Sequence, residues 1–455
     1  MRSAAWIAIV ATLLTVAANH ANAEEAGGIL AQITPSMKFR HPGTLNTLAE
    51  LREIRAKITA GEEPWKSNYL KLLASPYARR DYRPHTTAIV MKGMTEANEQ
   101  RDAVAAYAHA LLWVLTDEEW HAEKAAELID AWSSTPISYV GLNWYLDPAW
   151  DAAPLVEAAE ILRATYPQWQ GGPRLAKLFN DVFLPILHNR MAFGNREFAV
   201  CNALVAIGVF NEDPAALYEG VHHWLSYVPS YFYIAEDGPE AKKADYWSTS
   251  PPEEFLRRLD AGRLPAGWTS WIDLAQDVKN QGDDRTGLTK WTTDDLWKHP
   301  GTYLPGYTPE TGGRDLTHTE NAFGSAVNVA EIAWNQGIDI YSFGAHRLAV
   351  FMETTAAIRL GEPISQVAYG GVLNLGPGLI PTYETAYNHL HNVMNISLPK
   401  TRELIESVIR QMGPVRIERP FPPPLPPSIA ALRLWEQAGW IANWETLTHG
   451  ELNRH

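Results

Sequence analysis

Six stretches of this chain place Ala, Leu and other apolar residues at helical spacing: Asp102 to Thr116, Ala122 to Trp132, Pro154 to Ala164, Phe198 to Phe210, Glu320 to Gln336 and Ala345 to Leu360. Strand-like alternation is scarce, so these helices have no sheet to pack on and must bury their apolar faces against one another. A bundle, a solenoid and a closed α/α ring all meet that demand. The absence of a strict short repeat argues against the solenoid. Between bundle and ring the spacing does not decide; the expected architecture is all-α, with an incomplete (α/α) toroid of helical hairpins favoured, forming one domain over residues 24–455.

Three segments depart from this pattern. Residues 1–23 carry one Arg, an apolar run from Ala4 to Ala18 and the small-x-small ending Ala21-Asn22-Ala23, which reads as a secretory signal peptide and predicts a periplasmic or secreted protein. The run is shorter than the roughly 20 residues of a membrane span. Residues 229–313 have little helical periodicity and many aromatics, among them Tyr231, Tyr233, Trp247, Trp268, Trp271, Trp291 and Trp297. A long irregular segment of this kind is a functional loop lining a groove, or an insertion with a small core of its own. Residues 413–455 open on a proline-rich run and are expected to form a docked tail with a short amphipathic helix from Ser428 to Ala438.

Composition narrows the partners. Lys and Arg number 38 against 52 Asp and Glu, a formal net charge of -14, which disfavours non-specific binding to nucleic acid or an anionic membrane. An anionic substrate would need a local basic patch. The 18 Trp and 18 Tyr supply flat rings with a polar handle, suited to sugar faces as well as to a core. The single cysteine, Cys201, rules out an intramolecular disulfide, so the fold rests on its core.

Polar residues of catalytic type gather in three places. In GGRDLTHTEN, residues 312–321, Arg314 and His318 lie four apart and would share one helix face, while Asp315 would cap the helix or orient a neighbour. In AYNHLHN, residues 386–392, Tyr387, Asn388, His389 and His391 crowd together. A His-x-His pair can bind metal, but no His/Glu pair at helical ligand spacing accompanies it, so no metal or cofactor is expected. In GNREF, residues 194–198, Asn195 opens a helix, either as a plain cap or as a functional amide.

These motifs, with HPGTLNTLAELREIRAKI and GEEPWKS near the start, ALVAIGVFNED after GNREF, AEIAWNQGIDIYSF after GGRDLTHT, and SLP after YNHLH, resemble the alginate-lyase family of toroidal polysaccharide lyases over His41 to about Pro399. The resemblance implies β-elimination on an anionic polysaccharide, a β-1,4-linked polyuronate of mannuronan or glucuronan type. The sugar carboxylate is neutralised, the C5 proton is removed and the C4 oxygen leaves. It further implies that Asn195 and Arg314 bind the carboxylate, with His318 assisting proton transfer. In the better-known branch a Tyr stands at the position of His318, and an Asn-His pair stands where this chain has Asn195-Arg196. The proton-transferring Tyr is therefore expected elsewhere, with Tyr387 first and Tyr303, Tyr307 and Tyr341 as competitors, its phenolate favoured by cations such as Arg314 or His318. His389, Arg196, Tyr303, Tyr307 and Trp144 are expected to contact substrate. Two alternatives remain: a toroidal glycoside hydrolase using carboxylates such as Asp147, Asp315 and Glu320, and a non-catalytic glycan-binding protein.

Overall fold

In a computed structural model the chain is described over residues 24–91, 96–140, 146–188, 194–238, 304–313, 315–362, 367–368, 371–372, 375–376, 378–380, 382–410, 433–434 and 444–451. Residues 1–23, most of the Trp-rich segment and most of the proline-rich tail lie outside these residues. The chain is mainly helical, and each of the six periodic stretches forms a helix. After α1 (24–30), α2 (Leu48–Ala60) and α3 (Trp65–Leu73) come α4 (Glu96–Thr116), α5 (Glu119–Ser133) and α6 (Asp147–Thr165). Helix α7 (Gly172–Leu178) continues through a π-helical turn, Phe179–Phe183, into a last turn at Leu184–Leu187. Then follow α8 (Asn195–Phe210), α9 (Pro214–Tyr231), α10 (Pro309–Gly313), α11 (Leu316–Asn335) and α12 (Tyr341–Arg359). Helix α13 (Glu384–Tyr387) runs into a π turn over Asn388–Val393, and α14 (Pro399–Leu404) into another over Ile405–Ile409; α15 (Glu445–Thr448) comes last. Among the described residues no helix is long and apolar enough to cross a membrane.

Burial sorts the longer helices into two kinds. Helix α5 buries one stripe, including His121, Ala122, Ala125, Leu128, Ile129 and Trp132, the pattern of a helix with one face to solvent. Helices α6, α8 and α11 are buried on almost every side. Their packing partners explain the difference: α4 packs on α6, α6 on α8 and α8 on α11, while α5 covers α4, and α9 covers α8. Thus alternate helices form one row, and the hairpin partners lie over it. A short parallel pair of strands, β1 (Ile89–Met91) and β2 (Ser138–Val140), with Val90 opposite Tyr139, precedes α4 and α6 respectively. Parallel strands feeding two neighbouring helices bring both helix N-termini to the same end of the row.

The chain ends close on this row. Glu157 of α6 accepts from the Thr44 hydroxyl at 2.6 Å and from the Leu45 N–H, while Glu445 of α15 accepts from the N–H groups of Glu384 and Thr385. Asn46 donates to the Thr448 carbonyl. In the tail, Arg433–Leu434 form a two-residue strand parallel to Gly378–Leu379. At those two residues a strand stands where a helix was expected over Ser428 to Ala438, backbone pairing prevailing over an apolar spacing that suits either conformation; the rest of that stretch lies outside the described residues.

Burial pushes the Glu157 carboxyl from its ordinary 4.5 up to about 8. The folded state then holds this proton more tightly than the unfolded state. Its contribution to stability is complete below pH 4.5 and is lost as pH rises through about 8. Replacing Glu157 with Gln, which removes the titration, is expected to shrink the fall in melting temperature between about pH 5 and about pH 9. Thermal unfolding across that window checks it, and an unchanged slope would place the titration elsewhere.

Candidate active site

The two helix starts singled out by sequence meet at one end of the row. Helix α8 begins at Asn195 and α11 at Leu316, and the two helices pack along each other. Glu310, in the short α10 just ahead of α11, joins their starts. Its carboxylate accepts from the Asn195 N–H at 2.7 Å, from Asn195 Nδ2 at 2.8 Å and from the Tyr231 hydroxyl at 2.5 Å. Burial, then the Glu310 charge, drives the Tyr231 phenol well above its usual range, so it remains a donor to that carboxylate.

This arrangement fixes the surroundings of Asn195. The residue is buried, and its amide holds a carboxylate of the protein itself. An amide nitrogen carries two hydrogens, and Glu310 takes one of them. Glu310 went unnoticed in the sequence, where its only signal is an acidic residue beside Pro309 in a motif already rich in polar groups. The neighbouring Arg196 is half-buried.

Asp315 has an extended backbone and caps α11, accepting from the His318 N–H at 2.9 Å. The same carboxylate meets the imidazole, with Nδ1 of His318 at 2.7 Å and 2.8 Å from its two oxygens. A carboxylate only accepts, so the Nδ1 that faces Asp315 carries a hydrogen. The His318 side chain is 15% exposed, within reach of solvent. Gly376 lies over the pair: a Cβ there would come 2.2 Å from Thr317 Oγ1 and 2.8 Å from Asp315 Oδ1, and its φ of +76° is itself one that favours glycine. The helix starts after an extended Asp315, which places His318 in its first turn. Arg314 lies outside the described residues, as do Trp144 and Tyr303.

The second cluster is built differently from expectation. His389 is buried, stacked on Tyr341 at 3.7 Å and set edge-on to Trp334 at 4.7 Å. Trp334 is 16 residues beyond His318 on α11, or about 24 Å of helix, so His389 packs near the far end of that helix from His318. Tyr341 shares that position and donates to Glu331 at 3.1 Å. Tyr387 is buried and stacked on His391. Burial raises its phenol, with Arg402 and Arg410 only partly opposing, so the phenolate expected of a base is disfavoured. Tyr307 is fully buried, its phenol raised by burial, and its backbone pairs with Tyr233; it offers no open ring to a sugar.

The three carboxylates considered for a hydrolase sit in unlike surroundings. Asp147 and Glu320 are wholly buried; Glu320 is bonded to Arg359, and Asp315 to His318. No protein-family model matches the chain, and no curated protein matches it significantly. The chemistry of the Asp315-His318 pair therefore has to be read from its own geometry. A neutral imidazole, oriented through one nitrogen by a carboxylate, can accept a proton at the other and hand it back.

Proposed function

We propose that the chain is a polysaccharide lyase that cleaves a β-1,4-linked polyuronate by β-elimination, and that its row of helices belongs to an incomplete (α/α) toroid. The observation that carries this reading is the Asp315-His318 pair, partly exposed at a helix start beside the Asn195-Glu310 contact. The motif resemblance supports the substrate class. The alternating two-layer packing and parallel helix entries support the ring.

In this mechanism Nε2 of His318 takes the C5 proton of the uronate. The C4–O bond breaks as the C4=C5 double bond forms, and the imidazolium returns its proton to the leaving oxygen. For mannuronate or glucuronate the C5 hydrogen and the C4 oxygen lie on one side of the ring, so one group serves both steps. Asp315 stabilises the imidazolium between them. Arg314 is assigned to the sugar carboxylate, where a permanent cation stabilises the developing dianion. Asn195 acts as a positioning residue through Glu310. Export to the periplasm or beyond fits a polymeric substrate.

Incubation with polymannuronate, glucuronan and polyguluronate, followed by ultraviolet absorbance of the unsaturated uronate, tests the proposal. New reducing ends without that absorbance would show hydrolysis instead, and binding without any change in polymer length would show a lectin-like role. A finer test replaces Asp315 with Asn, which still caps the helix through its carbonyl oxygen but can donate to Nδ1 and so move the ring proton to Nε2. Turnover is expected to fall about a hundredfold, with stability changed by less than about 1 kcal/mol. Equal losses of activity and stability would mean that Asp315 is a cap alone.

A further inference from the structure

We infer that the interface between α8 and α9 contains a binding site for one divalent transition-metal ion of the zinc class, held by Glu197, Cys201 and His223. Glu197 and Cys201 are four apart on α8 and so share one face, and His223 comes from α9 packed against it. All three are buried, at 1%, 0% and 1% exposure. One ligand-type atom from each lies within 4.8 Å of those of the other two. His223 Nδ1 is already 2.7 Å from Glu197 Oε1. Two ligands on one tetrahedral zinc stand roughly 3.3 Å apart, so side-chain adjustments of under about 1 Å would admit an ion.

The donor set selects the ion. A thiolate beside an imidazole and a carboxylate suits zinc, cobalt or another borderline ion, and disfavours magnesium and calcium, which take oxygen. The backbone also favours a tight clamp. At Gly220, one turn before His223, a Cβ would come 2.9 Å from the Cys201 carbonyl oxygen and 2.7 Å from Val205 Cγ1, so α9 lies against α8 as closely as helices pack. The bound ion would fix the first turn of α8, two residues from Asn195. This inference does not depend on the lyase reading, and it departs from the sequence expectation of no metal: the third donor sits on a different helix, where ligand spacing gives no signal.

The test uses the full chain, produced in zinc-supplemented and in cobalt-supplemented medium and purified without a metal-affinity step. One ion per chain is expected by elemental analysis. Cys201 is the chain's one cysteine, so a thiolate-to-cobalt charge-transfer band in the near ultraviolet would assign it as a ligand without any variant. Cys201→Ser and His223→Gln are each expected to lower metal content at least about tenfold. Less than ~0.1 ion per wild-type chain, or a cobalt form lacking the thiolate band, would overturn the site.

Discussion

Replacing His318 with Ala is expected to lower turnover on a polyuronate about a thousandfold while leaving polymer binding nearly unchanged. The size follows from the range of general acid–base contributions, about 10² to 10⁴. The split between turnover and binding follows from geometry: the imidazole is oriented for proton transfer by Asp315, and a role confined to sugar binding would raise KM instead. Tyr387→Phe is the paired control. A buried phenol whose ionisation is disfavoured contributes no base, so this variant is expected to stay within a few-fold of the parent. Steady-state rates and affinity for a non-cleaved oligouronate separate the cases. Full activity of His318→Ala, or a collapse in Tyr387→Phe, would return the base to the tyrosine.

The helices were legible because a 3.6-residue apolar period survives in any helix that buries a face, but their starts were less so. Helix α6 begins at Asp147, seven residues ahead of the expected Pro154, since Pro148 occupies the first turn and Pro154 lies inside the helix. The first turns of α6, α8 and α11 include polar residues buried by tertiary contact, such as Asp147, Asn195 and Thr317, which no local pattern reveals. At the candidate site, the local features were readable: Asp315 as a cap or an orienting neighbour, and Asn195 at a helix start. The distant ones were not. Glu310 meets Asn195 across 115 residues, and sequence spacing carries no record of that contact. The surroundings of YNHLH were hidden for a related reason. Proximity along the chain does not say which wall a side chain faces, and the π turn from Asn388 shifts the usual helical register.

The largest loss of stability is expected at Arg359. Its side chain is wholly buried and meets Glu320 through two parallel bonds, Nε to Oε1 at 2.7 Å and Nη2 to Oε2 at 2.6 Å, while Nη1 donates to the Leu375 carbonyl at 2.9 Å. Glu320 also accepts from the Tyr383 hydroxyl and the Ile380 N–H. Arg359→Met removes the cation but leaves the carboxylate in a low-dielectric site, which costs about 3–5 kcal/mol. Adding Glu320→Leu removes the stranded charge, so the double variant is expected to regain a large part of that loss, because the penalty belongs to the unpaired ion more than to the missing attraction. Urea unfolding of both variants measures the difference, and a single-variant loss under about 1 kcal/mol would mean that water reaches the pair. The consequence extends to the site. Arg359 holds the Leu375 carbonyl, and the adjacent Gly376 lies against Asp315, so loosening that segment is expected to reduce activity even at temperatures where the variant remains folded.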